Sequence, residues 1–477
     1  MPDDTPASLT AKFAALRTAY FRHPYPAVAE RKEHLQALAG MLLGGRSRIA
    51  DAMTADYGVH PEVLSDIVEV IGPVMRARTA LANLDAWMAP ETRPSPGMGS
   101  AAVAEMVPMP KGVTGIMAPW NFPFDLTCGP LVDMLAAGNR VMIKPSEITS
   151  ACAEVLAELI GKTFSPDHVT TALGGPEIAQ HFPRLGFDHL LYTGSTLIGK
   201  EIMRAAAETL TPVTLELGGK CPAVFLEGGL TADAVESVVA LKLVKSGQVC
   251  ISVDYVLTPR AALRETADMI KQYYQRSTPC YSQGPDCTAI VSERHMKRLE
   301  RLLDEARRRD VEIIPLEAGR QEGRGRRMPV TLVIDPPPDL ELSREEIFGP
   351  ILPIIPHDGT DDVVRRLQSG GRPLALYLFG AEQQALEYVS QRTLSGGLTY
   401  NGAAHHAACP SLAFGGVGTS GTGRHHYIDG FREFSHFRAT FTRDLQDGGA
   451  MFFCPPYGDK VTKDLASLFS ELSTPVA

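Results

Sequence analysis

Apolar residues in "RKEHLQALAGMLLGGRSRIADAMTADYG", residues 31 to 58, recur every three or four positions, and the same spacing returns from Val63 to Trp87. That period predicts helices up to Trp87. From Ala101 the period changes: "AAVAEMVPMPKGVTGIMAP" alternates and is broken by Pro and Gly, as strands are. Short apolar strands then follow at "VTGIMAP", "RVMIKPS", "VTTALGG" and "HLLYTGS", separated by helical stretches such as "SACAEVLAELIGKTF". A βαβαβ order implies a mostly parallel sheet wound with helices on both faces. A second α/β series follows "PVTLELGG", with strands at "PAVFL", "YVLTP", "PVTLVID" and "ILPIIPH", which places a domain boundary near residue 216.

Composition narrows the function classes. A chain of 477 residues with 44% hydrophobic and 21% charged residues is long enough for about two to three domains with cores of their own. The net charge of -9 argues against a nucleic-acid footprint, which needs a basic face. The one dense basic run, from Arg294, interleaves Leu299, Leu302 and Leu303 at helical spacing and reads as a solvated amphipathic helix. "EAGRQEGRGRR", residues 317 to 327, reads as a Gly/Arg surface loop. The acidic start has no apolar h-region, and no apolar run reaches the roughly 18 residues of a membrane span. A cytoplasmic protein with no membrane association is therefore expected. Cysteines 128, 152, 221, 250, 280, 287, 409 and 454 show no repeated close spacing, which suits free thiols and gives no zinc site.

Several short stretches carry candidate chemistry, and each alone has a structural explanation. "YTGSTLIG" sets Thr193, Gly194, Ser195 and Gly199 at a strand-to-helix turn where free N–H groups can meet a pyrophosphate, or where a helix is simply capped. "IKPSE" puts Lys144 and Glu147 just past a strand, in reach of ribose hydroxyls. "VTLELGG" alternates, so Glu216 points away from the apolar face; an exposed or paired surface carboxylate reads the same way. In "PWNFPFD" two prolines bracket Asn121 and hold its amide at a fixed angle, although an Asn in a turn also satisfies its own backbone. Cys250, in "KSGQVCISVDY", has no partner at close spacing and stands as a buried thiol or a nucleophile.

Taken jointly the motifs are specific. "PWNFPF", "IKPSE", "YTGST", "LELGGKCP", "GQVC", "EEIFGP" and "FGGVGTSGTG" follow in the order and at the distances found in the aldehyde dehydrogenase superfamily, which the chain resembles from about residue 10 to 440. "LRTAYFRHPYPAVAERKEHLQAL", the proline in "IKPSE", "LAFGGVGTSGTGRHH" with "GFREFSH", and "PPYG" are similar to its shorter, class 3-like branch, and within that to coniferyl aldehyde dehydrogenases.

The resemblance implies an aldehyde dehydrogenase-like α/β fold: two doubly wound domains plus a small β oligomerisation hairpin. Residues 1–95 and 112–215 would bind the dinucleotide, 216–413 would form the catalytic domain, and 96–111 with 428–447 would supply oligomerisation strands of a homodimer. It implies that Cys250 is the nucleophile, that Asn121 and the Cys250 N–H bind the alkoxide, and that Glu216 is the general base. Lys144 and Glu147 would hold the adenosine ribose. Thr193, Gly194, Ser195 and Gly199 would face the pyrophosphate, Leu217 and Gly218 the nicotinamide pocket, and Glu346 with Phe348 the nicotinamide ribose. Glu147 favours NAD over NADP by charge, with NADP still possible.

The expected substrate is a hydrophobic, aromatic or unsaturated aldehyde in a tunnel walled by Phe122, Val249 and Ile251, with His405 or His406 at its mouth. Gly402 stands where an Asn-Asp pair commonly begins a strand, which keeps medium- or long-chain aliphatic aldehydes as an alternative. An acylating, coenzyme A-dependent enzyme commonly lacks the glutamate base, a thiol esterase would leave "IKPSE" and "EEIFGP" without purpose, and a crystallin-like role would tolerate loss of catalytic residues that are all present.

Overall fold

The computed structural model describes residues 2–95, 101–317, 325–444, 455 and 457–473. The "EAGRQEGRGRR" segment lies largely outside the described residues, as do the stretches 96–100 and 445–447. Contacts divide the chain into two compact units, 1–88 with 109–436, and 89–108 with 437–477.

The larger unit begins with helices, as the periodicity predicts: Pro6–Arg22, Val28–Gly44, Arg46–Tyr57 and Gly72–Met88. A π-helical turn at Ser65–Ile71, which the apolar spacing does not announce, turns Glu69 inward and leaves it fully buried. A six-stranded sheet follows in the order Gly421–Thr422, Val213–Leu217, His189–Gly194, Val113–Met117, Arg140–Lys144, Val169–Thr171. Its pairings are parallel except the first, where Gly421 lies opposite Glu216. The chain winds one way from Val113–Met117 through the next two strands and then returns to its other side. That switch opens a crevice beyond the carboxyl ends of the strands.

The second sheet has seven strands: Glu312–Pro315, Thr331–Ile334, Ile351–His357, Tyr255–Pro259, Pro222–Phe225, Ala375–Phe379 and Gly397–Tyr400. Only the Glu312–Pro315 edge is antiparallel. Val224, Leu257, Leu376 and Leu378 pack one face, and Ala223, Val256, Leu332 and Phe225 the other, so both faces are buried as parallel sheets require. Two doubly wound α/β layers are thus present, but both belong to one compact unit. The strand carrying Glu216 completes the six-stranded sheet, and the change of sheet comes after Leu217.

In the smaller unit Glu91–Arg93, Val103–Pro110 and Ser435–Thr442 form a three-stranded sheet. The alternating pattern from Ala101 predicts the second of these strands, and the resemblance implies the third. The strand expected within 428–447 starts late, because Tyr427–Glu433 closes into a helix around buried Phe431 before the chain extends.

Candidate active site

A cavity of about 1530 Å³ opens at the carboxyl ends of the six-stranded sheet. It collects Asn121, Lys144, Glu147, Thr193, Gly194, Ser195, Glu216, Leu217, Gly218, Cys250, Glu346 and Phe348 on one surface. These twelve come from six separate motifs, so the fold converges what the sequence scatters.

At one end Lys144 Nζ donates to Glu147 Oε2 at 2.6 Å and to the Pro145 carbonyl at 3.0 Å. Lys144 is buried while Glu147 is half exposed, so the carboxylate faces the cavity mouth. Ser195 caps the helix Thr196–Ala207, its Oγ accepting from the Ile198 N–H. Ile198, Ile202 and Ala205 of that helix, with Pro176 and Pro183, give the cavity an apolar slot. Gly199 is not on the cavity surface: a Cβ there would meet Leu217 Cδ2 at 2.7 Å, so this glycine serves close helix–strand packing.

At the other end Glu346 is folded against Gly218, where a Cβ would lie 2.1 Å from its Oε2. Burial and the nearby Asp254 carboxylate push Glu346 up to about 8. Phe348, in the left-handed region at φ 50, meets Trp120 edge-on at 5.2 Å.

Cys250 sits half-buried between these ends. Removal from water, aided by Glu346 and Glu216, pushes its thiol up to about 12, against the pull of the Cys250 and Ile251 N–H groups. A thiol so placed is protonated at rest and needs a proton acceptor or a nearby positive charge to become nucleophilic. Glu216 faces the same space; burial first, and Glu433 second, raise it well above an ordinary glutamate. Asn121 Nδ2 donates to the Gln248 carbonyl at 3.2 Å, which ties its loop to the segment leading into Cys250.

Two residues that sequence reasoning missed fix that geometry. Lys245, itself at φ 50, bonds the Asn121 carbonyl and reaches Glu69 Oε1 at 3.1 Å. Glu69 Oε2 in turn accepts the Phe124 and Asp125 N–H groups, both at 3.0 Å. A fully buried ion pair therefore clamps the Asn121 loop to the cysteine loop, where the sequence offered only prolines. A strained turn of Lys245 and Ser246 precedes Cys250, and such strain persists only where neighbours enforce it.

The basic run is also more than a solvated face. Its helix, Glu293–Arg308, buries Leu299, Leu302 and Leu303 as expected. Arg294, Lys297, Arg298 and Arg301 line the cavity, and Arg298 donates to the Glu346 carbonyl at 3.2 Å. Their spacing at i, i+3, i+4 and i+7 was the available signal.

The residues assigned to the tunnel are placed differently. Phe122, Val249 and Ile251 form an apolar cluster with Leu126, and of these only Leu126 reaches the cavity surface. His406 is buried beside Gly397 with Nδ1 on Thr399 Oγ1 at 2.8 Å, and neither it nor His405 lines the cavity. His425 does, unannounced by any reading of "RHHY".

The sequence profile of the aldehyde dehydrogenase family matches residues 2–440. The chain belongs to the aldehyde dehydrogenase family. Among relatives of this aldehyde dehydrogenase, a Caulobacter vibrioides protein named "Probable coniferyl aldehyde dehydrogenase" is 40% identical over 464 residues, covering 94% of each chain. A Pseudomonas sp. protein named "Coniferyl aldehyde dehydrogenase" is 36% identical over 443 residues, covering 92% of each. A solved structure described as the substrate-bound state of Staphylococcus aureus AldH superposes with a TM-score of 0.90 at 30% identity, covering 96% of this chain and 99% of that one. The fold expected from the motifs is therefore observed, and the aldehyde dehydrogenase uses a nicotinamide dinucleotide, NAD or NADP. Among the described residues no helix is long and apolar enough to cross a membrane, and no cluster of His, Cys, Asp and Glu could hold a metal ion.

Proposed function

We propose that this aldehyde dehydrogenase oxidises a coniferyl-type aldehyde, aromatic or α,β-unsaturated, to its acid with NAD. The observation that carries the proposal is the convergence of Cys250, Glu216 and Asn121 on the cavity that also holds Lys144, Glu147 and Glu346. Cys250 Sγ adds to the aldehyde carbon, and the resulting alkoxide is held by the Asn121 amide and the Cys250 N–H. When bound, the nicotinamide supplies the hydride acceptor and a positive charge that favours the thiolate. Glu216 then takes a proton from the water that opens the thioester. The apolar slot suits the adenine, the helix N-terminus at Ser195 and the basic face of Arg294, Lys297 and Arg298 suit the pyrophosphate, and Glu346 suits the nicotinamide ribose. Glu147 beside the adenosine ribose repels a 2′-phosphate, which supports NAD.

The coniferyl-type substrate rests on the printed names of the relatives and on the apolar side chains of Leu126, Leu374 and Phe414 on the cavity surface. Burying roughly 100 Å² more ring surface at about 25 cal/mol per Å² is worth roughly a hundredfold. Coniferaldehyde should therefore exceed acetaldehyde in kcat/KM by about two orders of magnitude. Cofactor reduction with coniferaldehyde, benzaldehyde, a medium-chain alkanal and acetaldehyde, with and without coenzyme A, checks this. A win for acetaldehyde or the alkanal, or dependence on coenzyme A, would contradict it.

We infer a symmetric homodimer as well. Ser435–Thr442 lies at the edge of its sheet with Phe441 exposed, a strand that invites pairing with a second copy. Light scattering should give twice the 51.5 kDa chain mass at micromolar concentration, and a monomer would refute the assembly. The free cysteines among the described residues fit a reducing compartment, the cytoplasm.

A further inference from the structure

Two buried groups with unused hydrogen-bonding capacity face each other beside Cys250. Neither carboxylate oxygen of Glu216 has a partner, and neither ring nitrogen of His425 has one. The side chains are 3% and 1% exposed, and His425 Nε2 stands 4.0 Å from Glu216 Oε1. Both line the cavity that holds the thiol. Buried polar atoms are almost always paired, so four unpaired ones at one place point to a small polar ligand that completes them. A gap of 4.0 Å is too long for a direct hydrogen bond and is short enough for one water to bridge.

The imidazole is held there from several sides. His425 exchanges backbone hydrogen bonds with Phe414 at 2.8 and 2.9 Å. Its ring stands edge-on to Phe414 and to His426, with centroids 5.8 and 4.5 Å away. Gly421, just upstream, is registered opposite Glu216 itself. The charged and titratable groups around the pair are Arg76 and His426 on the His425 side, and Glu433, Cys250 and Glu346 on the Glu216 side. Arg76 is itself 3.6 Å from Asp125 and acts on buried Asp133. Burial and then Arg76 hold His425 down at about 3, so the ring is neutral and carries one N–H.

We propose that His425 is a positioning residue for thioester hydrolysis, its Nε2–H holding the hydrolytic water against Glu216 and favouring the carboxylate that takes that water's proton. The inference rests on Glu216 being the general base. In the step, the water oxygen bonds to the thioester carbon and one water proton passes to Glu216. The C–S bond breaks, the acid leaves, and the proton on Glu216 restores the Cys250 thiol. The water so held donates in turn to the carboxylate and stabilises its charged form; without it, burial and Glu433 act on Glu216 unopposed.

The test separates the two readings. Cys250 is acetylated with p-nitrophenyl acetate in the presence of NAD, nitrophenolate release counts the acylated sites, and decay of the acetyl-enzyme is followed by intact mass across pH. His425→Phe should keep the nitrophenolate burst, decay about tenfold more slowly at neutral pH, and show its pH midpoint about one unit higher. His425→Gln, which retains a side-chain N–H, should recover most of both. Glu216→Gln should decay slowly at every pH. If Glu216→Gln decays at the wild-type rate, the base reading falls. If Glu216→Gln is slow while His425→Phe keeps the wild-type rate and midpoint, the base reading stands and this inference is overturned. Loss of the burst in both His425 variants would also overturn it, by showing a role in folding alone.

Discussion

Cys250→Ala should abolish oxidation of every aldehyde while leaving dinucleotide affinity unchanged. Among the described residues Cys250 is the only cysteine on the cavity surface, and the groups proposed to hold the dinucleotide, Lys144, Glu147, Ser195 and Glu346, reach that cavity from other motifs. The neighbouring Cys221 offers no substitute. It is fully buried, its Sγ donates to the Cys250 carbonyl at 3.3 Å, and burial raises its thiol well above the ordinary value. Cofactor titration by fluorescence and steady-state assays check both halves. Turnover above a trace would remove Cys250 from the mechanism.

Glu216→Gln should slow thioester hydrolysis by roughly 10²- to 10⁴-fold, the range for a positioned acid or base. Glutamine keeps the size and loses the proton acceptor, so one turnover of NADH should form rapidly and then stall. The pH dependence has a definite sign. Burial raises Glu216, so the carboxylate that does the work is depleted as pH falls through that raised value, and the wild-type hydrolysis rate should fall with it. Glu216→Gln should lose that limb. An unchanged steady-state rate would assign the water to another group.

The reach of the sequence can be traced through these residues. The roles expected of Cys250, Glu216 and Asn121 come from the resemblance of their motifs, taken jointly, to the aldehyde dehydrogenase superfamily, since each motif alone had a structural explanation as well. The helices before Trp87, five strands of the six-stranded sheet and four of the seven-stranded sheet were legible because burial imposes a period on them, whereas Glu312–Pro315, Ala375–Phe379 and Gly397–Tyr400 were not read as strands. The Lys245–Glu69 clamp was not, since its partners are 176 residues apart and no local pattern couples them. Glu69 also depends on a π-helical turn, which has no apolar period of its own. The strand Gly421–Thr422 is two residues long, too short to alternate, yet it sets the wall opposite Glu216 and delivers His425 to the cavity. The tunnel residues were read from adjacency to Cys250 and Asn121 in sequence, which says nothing of direction: Phe122 and Val249 pack with each other and do not line the cavity. His406 was drawn away by Thr399.

The central claim is that an aldehyde becomes a thioester on Cys250, and the intermediate itself can be weighed. Glu216→Gln mixed with coniferaldehyde and NAD, quenched within one turnover and analysed by intact mass and peptide mapping, should carry one acyl group, on the peptide containing Cys250, formed in step with one NADH per chain. Acid production and NADH formation with no acyl group on Cys250 would contradict the account.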